Sequence, residues 1–130
     1  MILADTSAWV ELDRATGSSL DRQLTGLITS DGPLAVTEPV RMEVLAGARS
    51  EADAERLRRL LGRCAHLSFD PVSDFDGAAR IYRRCRAVGV TPRGLIDCMI
   101  ATVAWRHGAA LLTGDVDLHR VAGVVGIELA

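Results

Sequence analysis

The sequence predicts an α/β fold built on a central parallel sheet of about five strands, flanked by helices, and three observations carry that prediction. Short apolar stretches alternate with amphipathic ones along all 130 residues, as in β–α–β units whose parallel strands are joined by crossover helices. The opening run Met1-Ile2-Leu3 is apolar without alternation, which suits a strand covered on both faces. The segment 95–106 is apolar on nearly every side, so it belongs inside the molecule rather than on it.

Taken in order, the first strand turns polar at Asp5-Thr6-Ser7, and residues 7–12 carry Trp9 and Val10 at helical spacing. Residues 19–29 set Leu20, Leu24, Leu27 and Ile28 on one helical face until Asp31-Gly32-Pro33 breaks the pattern. A short strand follows at 34–36. Thr37 is placed to cap the next helix, with Pro39 in its first turn and Val40, Val44 and Leu45 inward. Residues 51–62 form another helix, with Leu57, Leu60 and Leu61 inward and arginines around them. A strand at 66–69 is closed by Pro71. Ser73 caps a helix to about Val88 that buries Phe75, Ala78, Ala79, Tyr82 and Cys85. Gly89, Pro92 and Gly94 punctuate a loop before the apolar helix. A strand at 109–112, a helical turn at 116–120 and a last strand at 125–129 complete the chain.

Residues 1–130 are expected to form one domain that buries roughly two-thirds of its unfolded surface. No apolar run approaches the roughly 20 residues needed to span a bilayer, and no basic region precedes an apolar stretch at the start. The three cysteines, Cys64, Cys85 and Cys98, lack ligand spacing and sit among apolar neighbours; buried free thiols in a reducing cytoplasm are the expectation. All fifteen basic residues are arginine, and the net charge of −2 argues neither for nor against nucleic acid.

Four acids stand where a charge is costly or well placed. Asp5 ends the first strand, at the edge where open parallel sheets put their ligands. Asp97 lies in the first turn of the most apolar helix. Asp115 follows Leu111-Leu112-Thr113-Gly114, and Glu43 falls roughly 60° from Val40 on a wheel of about 100° per residue. Each has a plain structural role open to it: helix capping for Asp5 and Asp115, the helix N-terminus for Asp97, a solvated edge for Glu43. Two strand ends and the start of the central helix converge on one sheet edge, with no arginine beside Asp5 or Asp115 in sequence. Clustered carboxylates of this kind call for a hard divalent cation, Mg²⁺ or Mn²⁺, which activates water for phosphoryl chemistry.

The stretches ADTSAW, TEPVRMEVLAG, GLIDCMIATVAW and LLTGDVDL, in that order, resemble a PIN-domain ribonuclease, and more narrowly the VapC toxins of bacterial toxin–antitoxin pairs. The resemblance spans nearly the whole chain. It implies a five-stranded α/β/α sandwich and a quartet of acids on Asp5, Glu43, Asp97 and Asp115, with Asp5, Asp97 and Asp115 holding Mg²⁺ or Mn²⁺. Glu43 would orient a water or a second ion. Asp117 would support the fourth acid, and Thr6 and Thr113 match hydroxyls that position a carboxylate, a water or a phosphate. The implied reaction is hydrolysis of RNA, tRNA in particular, to 5′-phosphate and 3′-hydroxyl ends. A VapB-type antitoxin and a second copy of the chain are the implied partners.

Among the basic residues, Arg93 in the loop leading to Asp97 is the expected substrate contact, with Arg80, Arg83, Arg84 and Arg86 offering further phosphate positions. His66, His107 and His119 lack ligand spacing and receive no role. A receiver domain and a haloacid-dehalogenase-type phosphatase both need a lysine, which this chain lacks. A non-catalytic RNA-binding or adaptor protein of the same fold is the alternative, and metal-dependent RNA cleavage separates it from the nuclease.

Overall fold

The computed structural model describes residues 1–130. Strand β1 (Ile2–Ala4) leads to helices α1 (Thr6–Asp13) and α2 (Ser19–Thr29), and β2 (Leu34–Val36) to α3 (Glu38–Ala46) and α4 (Glu51–Leu61). Then come β3 (Ala65–His66), α5 (Asp74–Ala87), α6 (Leu95–His107), β4 (Ala110–Leu112) and α7 (Val116–Val125). The strands form one parallel sheet in the order β3-β2-β1-β4. Ile2 pairs with Leu34 on one side of β1 and with Ala110 on the other.

This order positions the site. The chain builds outward from β1 through β2 to β3, then returns to the opposite flank of β1 as β4. The direction of winding therefore reverses beside β1, and a crevice opens there at the carboxyl ends of the strands. The residues leaving β1, β2 and β4 at that edge are Asp5, Thr37 and Thr113, each buried. Below them Leu3, Trp9, Val36, Ile100, Leu111, Leu112 and Leu118 belong to one continuous core. Each fully buried side chain of this kind contributes about 1.5–3 kcal/mol.

Local chemistry explains the helix ends. Ser18 and Ser50 accept backbone N–H bonds from Asp21 and Asp53, both at 3.1 Å, and start α2 and α4. Gly108 stops α6 in the left-handed conformation, at φ 63°. Thr37 and Ser73 occupy the expected N-cap positions, but neither hydroxyl makes a cap bond. Ser73 Oγ donates to Asp70 Oδ2 instead, at 3.1 Å.

Four elements depart from expectation. The helical turn at 116–120 is the start of a ten-residue helix, because Leu118, Val121 and Ala122 recur at helical spacing and are buried. That helix uses up the start of the expected fifth strand, so only a parallel bridge between Leu111 and Leu129 remains beyond β4. Strand β3 is two residues long; beyond it the Phe69 N–H donates to Glu38 Oε1 at 2.7 Å, not to a neighbouring strand. Helix α5 is rotated from its expected face: Asp74, Ala78, Ile81 and Cys85 are buried, while Phe75 is 55% exposed and Ala79 is also outside.

An ion pair accounts for that rotation. Asp74 is buried and takes two bonds from Arg106 of α6, at 2.9 and 2.7 Å. Burial pushes its carboxyl up, but the Arg106 bonds and the Asp70 N–H outweigh burial and hold it below the usual range. Helices α5 and α6 also approach closely at Gly77, where a Cβ would lie 2.4 Å from Thr102 Oγ1. The cysteines are free, and burial pushes the Cys64 and Cys98 thiols up to about 11. No helix is long and apolar enough to cross a membrane.

Candidate active site

A cleft of about 470 Å³ opens at the carboxyl edge beside β1 and is lined by Asp5, Thr6, Ser7, Glu43, Asp97 and Asp115 among others. All four acids of the expected quartet are therefore brought together, from the ends of β1 and β4, from α3 and from the first turn of α6.

Asp5 is the anchor. Its N–H donates to Leu112 O at 3.1 Å, tying the end of β1 to β4. Its carboxylate caps α1 by accepting from the Ala8 N–H at 3.3 Å, so the capping role and the cleft role coincide. Oδ1 also accepts from Ser7 Oγ at 2.6 Å, and Oδ2 from Thr113 Oγ1 at 2.7 Å. Burial raises the Asp5 pKa, and these hydrogen bonds offset part of that rise.

The hydroxyls form a second layer. Thr113 Oγ1 donates to Asp5 and accepts from the Asp115 N–H at 3.0 Å. Ser7 Oγ accepts from the Gly114 N–H at 2.8 Å. Thr6 serves a different acid, donating to Glu43 Oε1 at 2.6 Å. Ser7 went unnoticed as a site residue in the sequence; a hydroxyl two positions after the acid that ends β1 was the available signal. His119, which received no role, has Nε2 2.7 Å from Thr113 O and props the turn that carries Asp115.

Asp97 faces the other acids from α6. Burial first, then the charges of Asp115, Asp5, Glu43 and Asp117, push its carboxyl up to about 6. Asp115 caps α7, its Oδ1 accepting from the Asp117 N–H at 2.8 Å. One oxygen each from Asp97, Asp115 and Asp117 lie within 4.8 Å of one another. Ligands about 2.0–2.6 Å from a shared hard cation have separations in this range, and carboxylate oxygen is the donor such cations select. The donor set therefore fits Mg²⁺ or Mn²⁺. This trio brings Asp117 beside Asp97 and Asp115; Asp5, expected from the sequence as the third ligand, lines the same cleft, with its oxygens accepting from Ser7, Ala8 and Thr113.

The cluster also contains a cation. Arg93, expected to point at substrate, pairs through Nε with Asp117 Oδ2 and holds Nη2 3.9 Å from Asp115 Oδ1. That pairing lowers the Asp117 pKa. Of the other arginines proposed for phosphate, Arg86 lies over the Tyr82 ring, 5.7 Å from its centroid.

Residues 2–124 match the family described as PIN domain. The whole chain is 40% identical, over 131 residues, to a VapC ribonuclease of Mycobacterium bovis and to Ribonuclease VapC11 of Mycobacterium tuberculosis, covering 98% of each. In fold it is similar to VapBC2 from Rickettsia felis bound to a promoter DNA fragment, with a TM-score of 0.78 at 19% identity over 100% of this chain and 98% of that one.

Proposed function

Because this chain belongs to the PIN-domain family, we propose that the acidic cleft beside β1 is the active centre of a VapC-type toxin, a ribonuclease that a VapB-type antitoxin holds in check. The observation that carries this reading is the meeting of Asp5, Glu43, Asp97 and Asp115 in one cleft from four separate elements.

The residues divide the work. Asp97 and Asp115 would hold Mg²⁺ or Mn²⁺, with Asp117 close enough to join them. When bound, the ion neutralises the phosphate and makes water a better nucleophile. Asp5, fixed by Ser7 and Thr113, sets the position of Asp115 through the Thr113 hydroxyl and would add its negative charge to the cation site. Glu43, held at Oε1 by Thr6, keeps Oε2 free to take the proton of the attacking water. Water attack leaves a 5′-phosphate and a 3′-hydroxyl, and the 2′-hydroxyl takes no part. Preference for RNA, with structured tRNA as the proposed class, then comes from shape and phosphate contacts outside the quartet. The protein acts in the cytoplasm and pairs with a second copy of itself.

Incubation of purified protein with total RNA and Mn²⁺ produces fragments that EDTA prevents and that carry 5′-phosphate ends. Cleavage that survives EDTA, or ends bearing 2′,3′-cyclic phosphate, overturns the mechanism. Mapping new 5′ ends after brief induction identifies the RNA.

A further inference from the structure

Arg93 is attached to the protein surface by its acidic partners alone. It lies in the loop between α5 and α6, one residue before the N-cap Gly94. Its side chain is 80% exposed, and its only side-chain hydrogen bond is to Asp117, whose own side chain is 12% exposed. Its other close partner is Asp115, at 3.9 Å. Both partners belong to the carboxylate trio that meets Asp97 within 4.8 Å.

One carboxylate flanked by two full cations brings like charges within a few ångströms of each other, so a divalent ion and the guanidinium compete for Asp117. The guanidinium, 80% exposed, is the solvent-facing partner of this pair and is readily exchanged. The guanidinium is also the side chain best matched to a phosphate, through two parallel bonds. We propose that Arg93 is the resident counter-ion of the metal site: a divalent cation that takes up Asp117 displaces it, and the released guanidinium engages the RNA phosphate at the rim of the cleft. Arg93 is thus a positioning residue that lowers the affinity for metal and couples loading of the site to capture of substrate. This rests on the reading of the trio as a metal site.

The test is a double-mutant cycle read by Mn²⁺ calorimetry on the full chain, in wild type, Arg93→Gln, Asp117→Asn and the double variant. Arg93 is exposed and Asp117 lies in the first turn of α7 outside the buried core, and circular dichroism verifies that each variant folds. Arg93→Gln binds Mn²⁺ about three- to fivefold more tightly than wild type, and this gain disappears in the Asp117→Asn background. The same variant raises the KM for RNA roughly tenfold, the loss expected for one charge-assisted hydrogen bond. Unchanged or weaker Mn²⁺ binding in Arg93→Gln overturns the proposal. So does an equal gain in the Asp117→Asn background, which reports long-range charge and not competition for Asp117. Absence of saturable Mn²⁺ binding in all four proteins overturns the metal-site reading as well, and is told apart from the other failures by the wild-type titration alone.

Discussion

Asp97 is the residue on which stability and activity pull in opposite directions. Its carboxyl ionises near 3.8 in an open chain and at about 6 in the fold, chiefly through burial and then through Asp115. Between those values the folded protein holds a proton that the unfolded chain has released, so the contribution of Asp97 to stability falls as pH rises from about 4 to about 6 and stays low above that. Asp97→Asn removes the cost. In EDTA at pH 7.5 the variant melts a few degrees above wild type, about the shift that 1 kcal/mol produces in a domain of this size, and the difference narrows at pH 4.5. It has no Mn²⁺-dependent cleavage, and it gains less from Mn²⁺ than wild type, for which saturation at a hundred times Kd adds about 2.7 kcal/mol. A lower melting temperature for Asp97→Asn in EDTA would make Asp97 a structural partner of the α6 N-terminus. Asp5 and Asp115 stood out in the sequence as acids at strand ends and Asp97 as an acid in an apolar helix, whereas Glu43, a solvated helix edge when read alone, entered the quartet through the family resemblance. The Arg93 contact with Asp117 was not, since it joins residues 24 apart through space. Ser7 read as an ordinary helix start.

At the scale of elements, the packing of α5 on α6 supplies stability at a distance from the acidic cleft, through the Gly77–Thr102 approach and the Asp74–Arg106 pair. Gly77→Ala places a Cβ 2.4 Å from Thr102 Oγ1 and costs about 1–3 kcal/mol by overpacking. Adding Thr102→Ala removes the obstructing oxygen, and urea denaturation shows part of that loss recovered in the double variant. Asp74→Asn weakens the pair with Arg106 while leaving the acidic cleft untouched. The Asp74 carboxyl is held below its usual range by Arg106 against burial, so the stability it supplies is present at neutral pH and disappears as pH falls through the folded pKa. Breaking a buried pair costs about 3–5 kcal/mol, and the partial exposure of Arg106, 34%, brings the expected loss to the lower end. Mn²⁺ affinity by calorimetry stays at the wild-type value. Strands β1, β2 and β4 and the centres of all the helices follow from the sequence because apolar runs and periodicity are local. The face of α5 does not: Phe75 outweighs Asp74 on any hydropathy pattern, and it is Arg106, on another helix, with the Asp70 N–H, that makes burial of the acid favourable. The fifth strand was lost for a related reason, since the valines at 124 and 125 suit a strand and a helix end equally well.

At the scale of the whole molecule, expression of this chain alone arrests growth and co-expression with a VapB-type antitoxin relieves the arrest; growth unaffected at high expression, with purified protein that cleaves no RNA, would favour the adaptor reading. The parallel alternation and the four motifs made the fold class readable from end to end, and the sheet order β3-β2-β1-β4 turned separate acids into one cleft. That order also dictates when the cleft comes into being. The hydroxyl of Thr113 reaches Asp5 across 108 positions of chain, and β4 pairs with β1 only after every intervening element has been laid down. Closing so long a loop comes late in folding, because its entropy is lost before its contacts are gained. A ribosome making this protein therefore carries Asp5, Glu43 and Asp97 on a nascent chain that has no active centre. The acidic cleft is complete only once β4 has emerged and docked, which leaves synthesis time for an antitoxin to be waiting.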